Sequence, residues 1–189
     1  HAAAQCKPVY DQTHGREGYV CAQVNPEFAG DRDAMFAMAQ RFHAFAPNIA
    51  VKLPATAAGL DMLEECTGRG ITVTATVSFC VPQVIQIAER YRRGIQRARE
   101  HGITPGKCFA VIMIGRLDDY LREVAKDARV AIRESDLQQA GLAVTKRAYA
   151  IYQERGYEAV LLIAALRGPY HITELVGADL IMSIHPKYQ

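Results

Sequence analysis

Lys52 is the residue of this chain best suited to covalent chemistry. It stands in Asn48-Ile-Ala-Val-Lys-Leu-Pro-Ala-Thr56, one charge among strand-forming apolar residues with turn chemistry directly after it. The expectation is that its side chain points into a cavity. Withdrawal from water disfavours the ammonium, lowers the pKa and frees the lone pair that attacks a carbonyl. That is the chemistry of a Schiff-base enzyme. The plainer alternative is a lysine whose stem packs at a strand end while its head reaches water or a carboxylate. Arg116 and Arg167 each follow an apolar run, and a guanidinium offers a planar fork of donors suited to phosphate oxygens. As isolated residues they would read as surface or salt-bridged arginines. Thr76 closes a further run, where its hydroxyl could orient a water or its branched carbon simply fill space. His171 and His185 lie near the ends of later runs; without a carboxylate at ligand spacing they read as structural or surface residues. No dinucleotide loop, phosphate loop, nucleophile elbow or metal triad is present in the sequence, so no cofactor is expected.

The elements that must position these groups are short β-branched runs alternating with helical patterns, which predicts repeated βα units and a parallel sheet. Strands are expected near 19–24, 49–53, 71–77, 108–114, 159–164 and 180–184. Asp33 is expected to cap a helix carrying Met35, Met38, Ala39 and Phe42 inward and stopping at Pro47. Thr56 is expected to cap the next, with Leu60 and Leu63 inward and Gly68 at its end. Pro82 suits the first turn of a long helix to about His101. Two helices are expected between the fourth and fifth strands, the second opened by a capping box of Ser135 and Gln138 and burying Leu137, Ala140, Val144, Ala148 and Ile151. Residues 1–16 read as the end of a helix plus a loop. Such apolar parallel strands suit either an open doubly wound sheet or part of an eight-stranded barrel, and periodicity does not choose.

Composition sets the outer bounds. A half-apolar chain of 189 residues is sized for one domain, here 1–189, and a formal charge of +2 gives no ground for a nucleic-acid or membrane partner. The basic run from Arg90 to Arg99 interleaves with Ile87, Tyr91 and Ile95 and reads as the wet face of a helix. Five unpatterned cysteines, Cys6, Cys21, Cys66, Cys80 and Cys108, fit reduced thiols in a cytoplasmic protein. The chain opens on His1, which suggests a missing beginning.

Taken in order, Gly18-Tyr-Val-Cys-Ala-Gln-Val-Asn-Pro26, the Lys52 strand, Gly70-Ile-Thr-Val-Thr-Ala-Thr-Val-Ser-Phe79, Phe109-Ala-Val-Ile-Met-Ile-Gly-Arg-Leu-Asp-Asp119, Leu161-Leu-Ile-Ala-Ala-Leu-Arg-Gly168 and Gly177-Ala-Asp-Leu-Ile-Met-Ser-Ile184 resemble the transaldolase family. The Lys52 strand and the Gly115-Arg116 strand end carry the most specific part of it. The resemblance implies a (β/α)8 TIM barrel, with this chain covering roughly the third to eighth units. It implies that Lys52 forms an imine with a ketose phosphate and passes a dihydroxyacetone unit to an aldose phosphate, as in the pentose phosphate pathway. Thr76 would help hold the proton-transfer water, and Arg116 and Arg167 would grip the sugar phosphate. Several positions depart from the family. Gln23 replaces a glutamate and can place a water without exchanging its proton; Thr74 replaces an asparagine, and Val111 and Ala165 replace serines. An aspartate of the family's first strand lies outside the chain. Related fructose-phosphate aldolases share the glutamine but have a tyrosine where this chain has Met113. The alternatives are therefore an aldolase-like lyase releasing dihydroxyacetone, or a non-catalytic phosphosugar-binding fragment. Six strands alone would leave two long sheet edges, which predicts a homo-oligomer, aggregation, or a need for the missing strands in trans.

Overall fold

The computed structural model describes residues 1–189 and contains six strands: β1 (Val20–Gln23), β2 (Ile49–Pro54), β3 (Val73–Thr76), β4 (Cys108–Met113), β5 (Val160–Ala164) and β6 (Ile181–Met182). All pair in parallel, and their order across the sheet is their order in the chain. The helices are α1 (Ala2–Gln12), α2 (Arg32–His43), α3 (Ala57–Gly68), α4 (Val81–Glu100), α5 (Ile114–Asp127), α6 (Glu134–Arg155) and the single turn α7 (Tyr170–Thr173).

Strand order decides what periodicity left open. A doubly wound sheet reverses its order at a switch point so that helices cover both faces. Here every crossover advances the same way, which keeps the helices on one face and curls the sheet around the other. The curl is visible in a recess of about 410 Å³ lined at once by Cys21 and Ile181, from the two outermost strands, and by Thr74 and Phe109 between them. The result is a half-barrel.

Side chains alternate across this sheet. Ile49, Val51 and Leu53 of β2, Val73 and Ala75 of β3, Ala110 and Ile112 of β4, and Leu161 and Ile163 of β5 pack beneath the helices against Leu63, Ile87, Ile95 and Leu142. The opposite residues, among them Lys52, Thr74 and Thr76, face the hollow side. The basic run of α4 lies outside: Ile87, Tyr91 and Ile95 are buried, while Arg90, Arg93 and Arg97 pair with Asp61, Glu64 and Glu65 of α3. Those arginines tie two helices together and leave little free positive field.

Most local signals hold in the structure, with four corrections. Asp31 caps α2, its carboxylate accepting the Ala34 N–H at 3.0 Å; Asp33 sits inside the first turn, and the helix ends at His43, four residues before Pro47. Ser135 forms no capping box, because α6 begins two residues earlier than that cap would start it, with Arg133 at its N-cap. The buried stripe of α6 runs through Leu137, Gly141, Leu142, Thr145, Ala148, Ile151 and Tyr152, leaving Ala140 and Val144 half-buried. Gly141 rotates the stripe: a Cβ there would stand 2.5 Å from the Ile114 carbonyl, so its bare backbone is what lets α6 close on α5. The sheet edges are also short, four residues in β1 and two in β6.

Thr56 caps α3 as expected. Its Oγ1 accepts the Gly59 N–H at 3.0 Å and donates to the Ala29 carbonyl at 2.7 Å, joining α3 to the loop after β1. Thr56→Ala is expected to cost about 1–2 kcal/mol of folding stability, read as a lower midpoint in urea at unchanged slope.

Candidate active site

The sequence-expected residues collect at the C-terminal ends of the strands. Gln23 is the last residue of β1, Lys52 the fourth of β2, and Thr76 the last of β3. Gln23 pairs in register with Lys52 and Lys52 with Thr74, so these three form one row across neighbouring strands. Thr76 pairs with Pro54, two residues further up. Neighbouring strands in a sheet lie roughly 4.8 Å apart. A polar row is therefore centred on Lys52.

Lys52 itself is half-buried, and no carboxylate lies within ion-pair distance of its Nζ. The recess described above is not at the lysine. The 410 Å³ recess lies toward the N-terminal ends of the strands, under Ala50 and Thr74, and Lys52 does not line it. The lysine stands on the open hollow face because β1 and β6 do not meet. Thr74 is buried, its Oγ1 3.5 Å from Cys21 Sγ, and Thr76 is buried as well; Gln23 is exposed.

The two arginines differ. Arg116, in the first turn of α5, is exposed and forms no ion pair. Arg167, three residues after β5, is anchored: Nε donates to both Asp119 oxygens at 3.0 Å, Nη2 to Asp119 Oδ2 at 2.5 Å, and Nη1 to the Ala165 carbonyl at 2.7 Å. The Arg167 hydrogen bonds hold the Asp119 carboxyl below its usual range against the opposing effect of burial, with further help from the charges of Arg167, Arg122 and Arg116. Arg167 thus docks on α5 at Asp119, one helical turn after Arg116. Gly115 makes this approach possible, since a Cβ there would stand 2.3 Å from the Ala165 carbonyl and 2.5 Å from Arg167 Cγ.

Sequence reasoning missed Ser183 and Lys187 on this rim. Arg167, Ser183, His185 and Lys187 line one groove of about 490 Å³ at the ends of β5 and β6. The βα-barrel preference for anion sites at the last strand ends was the available signal. His171 is fully buried and has the partner that local spacing did not offer, Asp118, far back in the chain; His185 is exposed. All five cysteines are free thiols, and burial pushes Cys66 up to about 12, which makes it a poor nucleophile.

Backbone strain marks the same rim. Val77, directly after Thr76, has φ +61°, and Ala165, two residues before Arg167, has φ +60°. A β-branched residue is costly in this left-handed region. The turn at Val77 lets buried Ser78 donate to the Val111 carbonyl at 2.5 Å, locking the ends of β3 and β4. Val77 is 48% exposed, so Val77→Asn is expected to relieve strain at little packing cost and raise stability by about 1 kcal/mol, seen in chemical denaturation.

A parallel βα sheet curled around a polar row, with arginines at the C-terminal strand ends, puts the chain in the class of βα-barrel proteins. Residues 2–188 match the family described as Transaldolase/Fructose-6-phosphate aldolase, and the chain belongs to it. It is 32% identical over 157 residues to Transaldolase 1 of Streptomyces avermitilis, covering 81% of this chain and 42% of that protein. Similar values hold for Transaldolase of Mycolicibacterium paratuberculosis, 32% identical with 77% of this chain and 40% of the relative covered, and for Transaldolase of Mycobacterium leprae strain Br4923, 31% with 82% and 42%. The chain spans about two fifths of the length of these relatives.

Proposed function

We propose that this chain carries the imine-forming centre of a transaldolase-type enzyme and corresponds to roughly the third to eighth units of a (β/α)8 barrel, as a single partial domain. Lys52 Nζ adds to the carbonyl carbon of a ketose phosphate and loses water to form the imine. The protonated imine then accepts the electron pair released when the adjacent carbon–carbon bond breaks and an aldehyde phosphate departs, leaving a three-carbon enamine that adds to an acceptor aldose phosphate, after which water hydrolyses the new imine and frees Lys52. Thr76 and Gln23 orient the water that relays protons, and Thr74 lies beside the donor sugar. Arg116 and Arg167 bind the phosphate.

The observation that carries this reading is the row Gln23, Lys52, Thr74, with an unpaired lysine at its centre, beside an Arg167 anchored on Asp119 one turn along α5 from Arg116. A lyase that releases dihydroxyacetone is favoured by Gln23, which cannot act as the general base a glutamate would supply. Intact-mass spectrometry after incubation with fructose 6-phosphate and borohydride tests the common step. A dihydroxyacetone-mass adduct on the chain, absent from Lys52→Met, supports it; a folded chain without the adduct would overturn it for this chain and leave phosphosugar binding. Product analysis with and without erythrose 4-phosphate then separates transferase from lyase.

A further inference from the structure

Arg167 is held at two points, its side chain and its backbone. Asp119 takes its guanidinium. Its backbone is held through His171, whose Nδ1 accepts the Arg167 N–H at 3.1 Å. With Nδ1 accepting, the ring proton belongs on Nε2, which stands 3.1 Å from Asp118 Oδ2 but makes no hydrogen bond, so Asp118 acts on the ring as a close charge. Both side chains are fully buried. Asp118 is itself fixed, Oδ1 accepting the Gly141 N–H and Oδ2 the Tyr170 O–H, each at 3.0 Å. Nothing in the imine chemistry uses this buried pair.

We propose that Asp118 and His171 are positioning residues for Arg167: they fix its backbone so that the guanidinium, braced by Asp119, meets Arg116 as one site for a phosphate or sulfate dianion. This rests on the reading of Arg116 and Arg167 as anion-binding. It also makes the site dependent on the protonation of one histidine, because a proton on Nδ1 would set two N–H groups against each other.

The charged and titratable groups around His171 are Asp118 and Arg122 from α5 and Arg167 and Tyr170 from its own segment. Burial holds the His171 pKa below its usual value, with Arg167 and Arg122 acting the same way and Asp118 opposing. A depressed value means the unfolded chain binds the proton more readily. The stabilisation is therefore complete above the ordinary histidine range, about pH 6.5, and is lost as pH falls through the lowered folded value.

Sulfate is the probe of choice, since its charge is constant over this range. Its binding can be followed by NMR through the Arg167 side-chain Nε–H, and the clamp through the Arg167 backbone amide. The parent is expected to lose about tenfold in sulfate affinity on acidification from neutral pH, with its Arg167 amide moving in the same titration. His171→Gln keeps an acceptor and should bind as the parent does at neutral pH with a flat pH profile. His171→Leu should bind about tenfold more weakly at neutral pH, again without pH dependence. An unchanged pH profile in His171→Gln, or parent-like binding in His171→Leu, would overturn the proposal. A parent that binds no sulfate overturns the anion site even if the Arg167 amide titrates; an amide that does not move overturns the clamp.

Discussion

Lys52→Met is expected to abolish the borohydride-trapped dihydroxyacetone adduct, slowing adduct formation by at least about a thousandfold. Methionine matches the length of the lysine stem and removes only the nucleophile. Lys52 gives up no ion pair when replaced and is half-buried among apolar strand residues, so the fold should lose little. A thermal midpoint within a few degrees of the parent distinguishes lost chemistry from lost structure. An adduct that survives in Lys52→Met at parent rate would move the nucleophile elsewhere and remove the basis of the proposed function.

The second large effect separates the two arginines. Arg116→Met is expected to weaken binding of a phosphorylated ketose about 10–100-fold while changing stability by less than about 0.5 kcal/mol, because the side chain is exposed and unpaired. Arg167→Met should weaken binding to a similar degree and also cost about 1–3 kcal/mol of stability, since it strips Asp119 of its bidentate partner and the Ala165 carbonyl of a donor. Calorimetric titration with fructose 6-phosphate, paired with urea unfolding, measures both. Equal stability loss in the two variants would contradict the anchoring described for Arg167 alone.

The strand positions and most helix starts were legible because their causes are local. β-branched runs bounded by turn residues mark the strands, and Thr56 and Pro82 satisfy helix N-termini wherever they occur. The α6 start was misread because Ser135 and Gln138 match a capping pattern that Arg133 and Glu134 pre-empt by starting the helix earlier. The site was legible as a set of types: a lysine on a strand and arginines after strands. What each one touches was not legible, because the partners are distant in the chain. Arg167 meets Asp119 across 48 residues, and Tyr170 meets Asp118 across 52.

By itself, then, the sequence determined six parallel βα units, the single lysine within one of the strands, and the absence of a dominant surface charge, since each follows from propensity, alternation or composition. Tertiary structure decided the rest. The winding direction, which turned the sheet into a half-barrel and excluded the doubly wound form, depends on which strands pair, and pairing free energies are nonlocal. The same folding placed Lys52 on an open face and spent Arg167 on Asp119, because burial and ion pairing are properties of neighbours that only folding brings together.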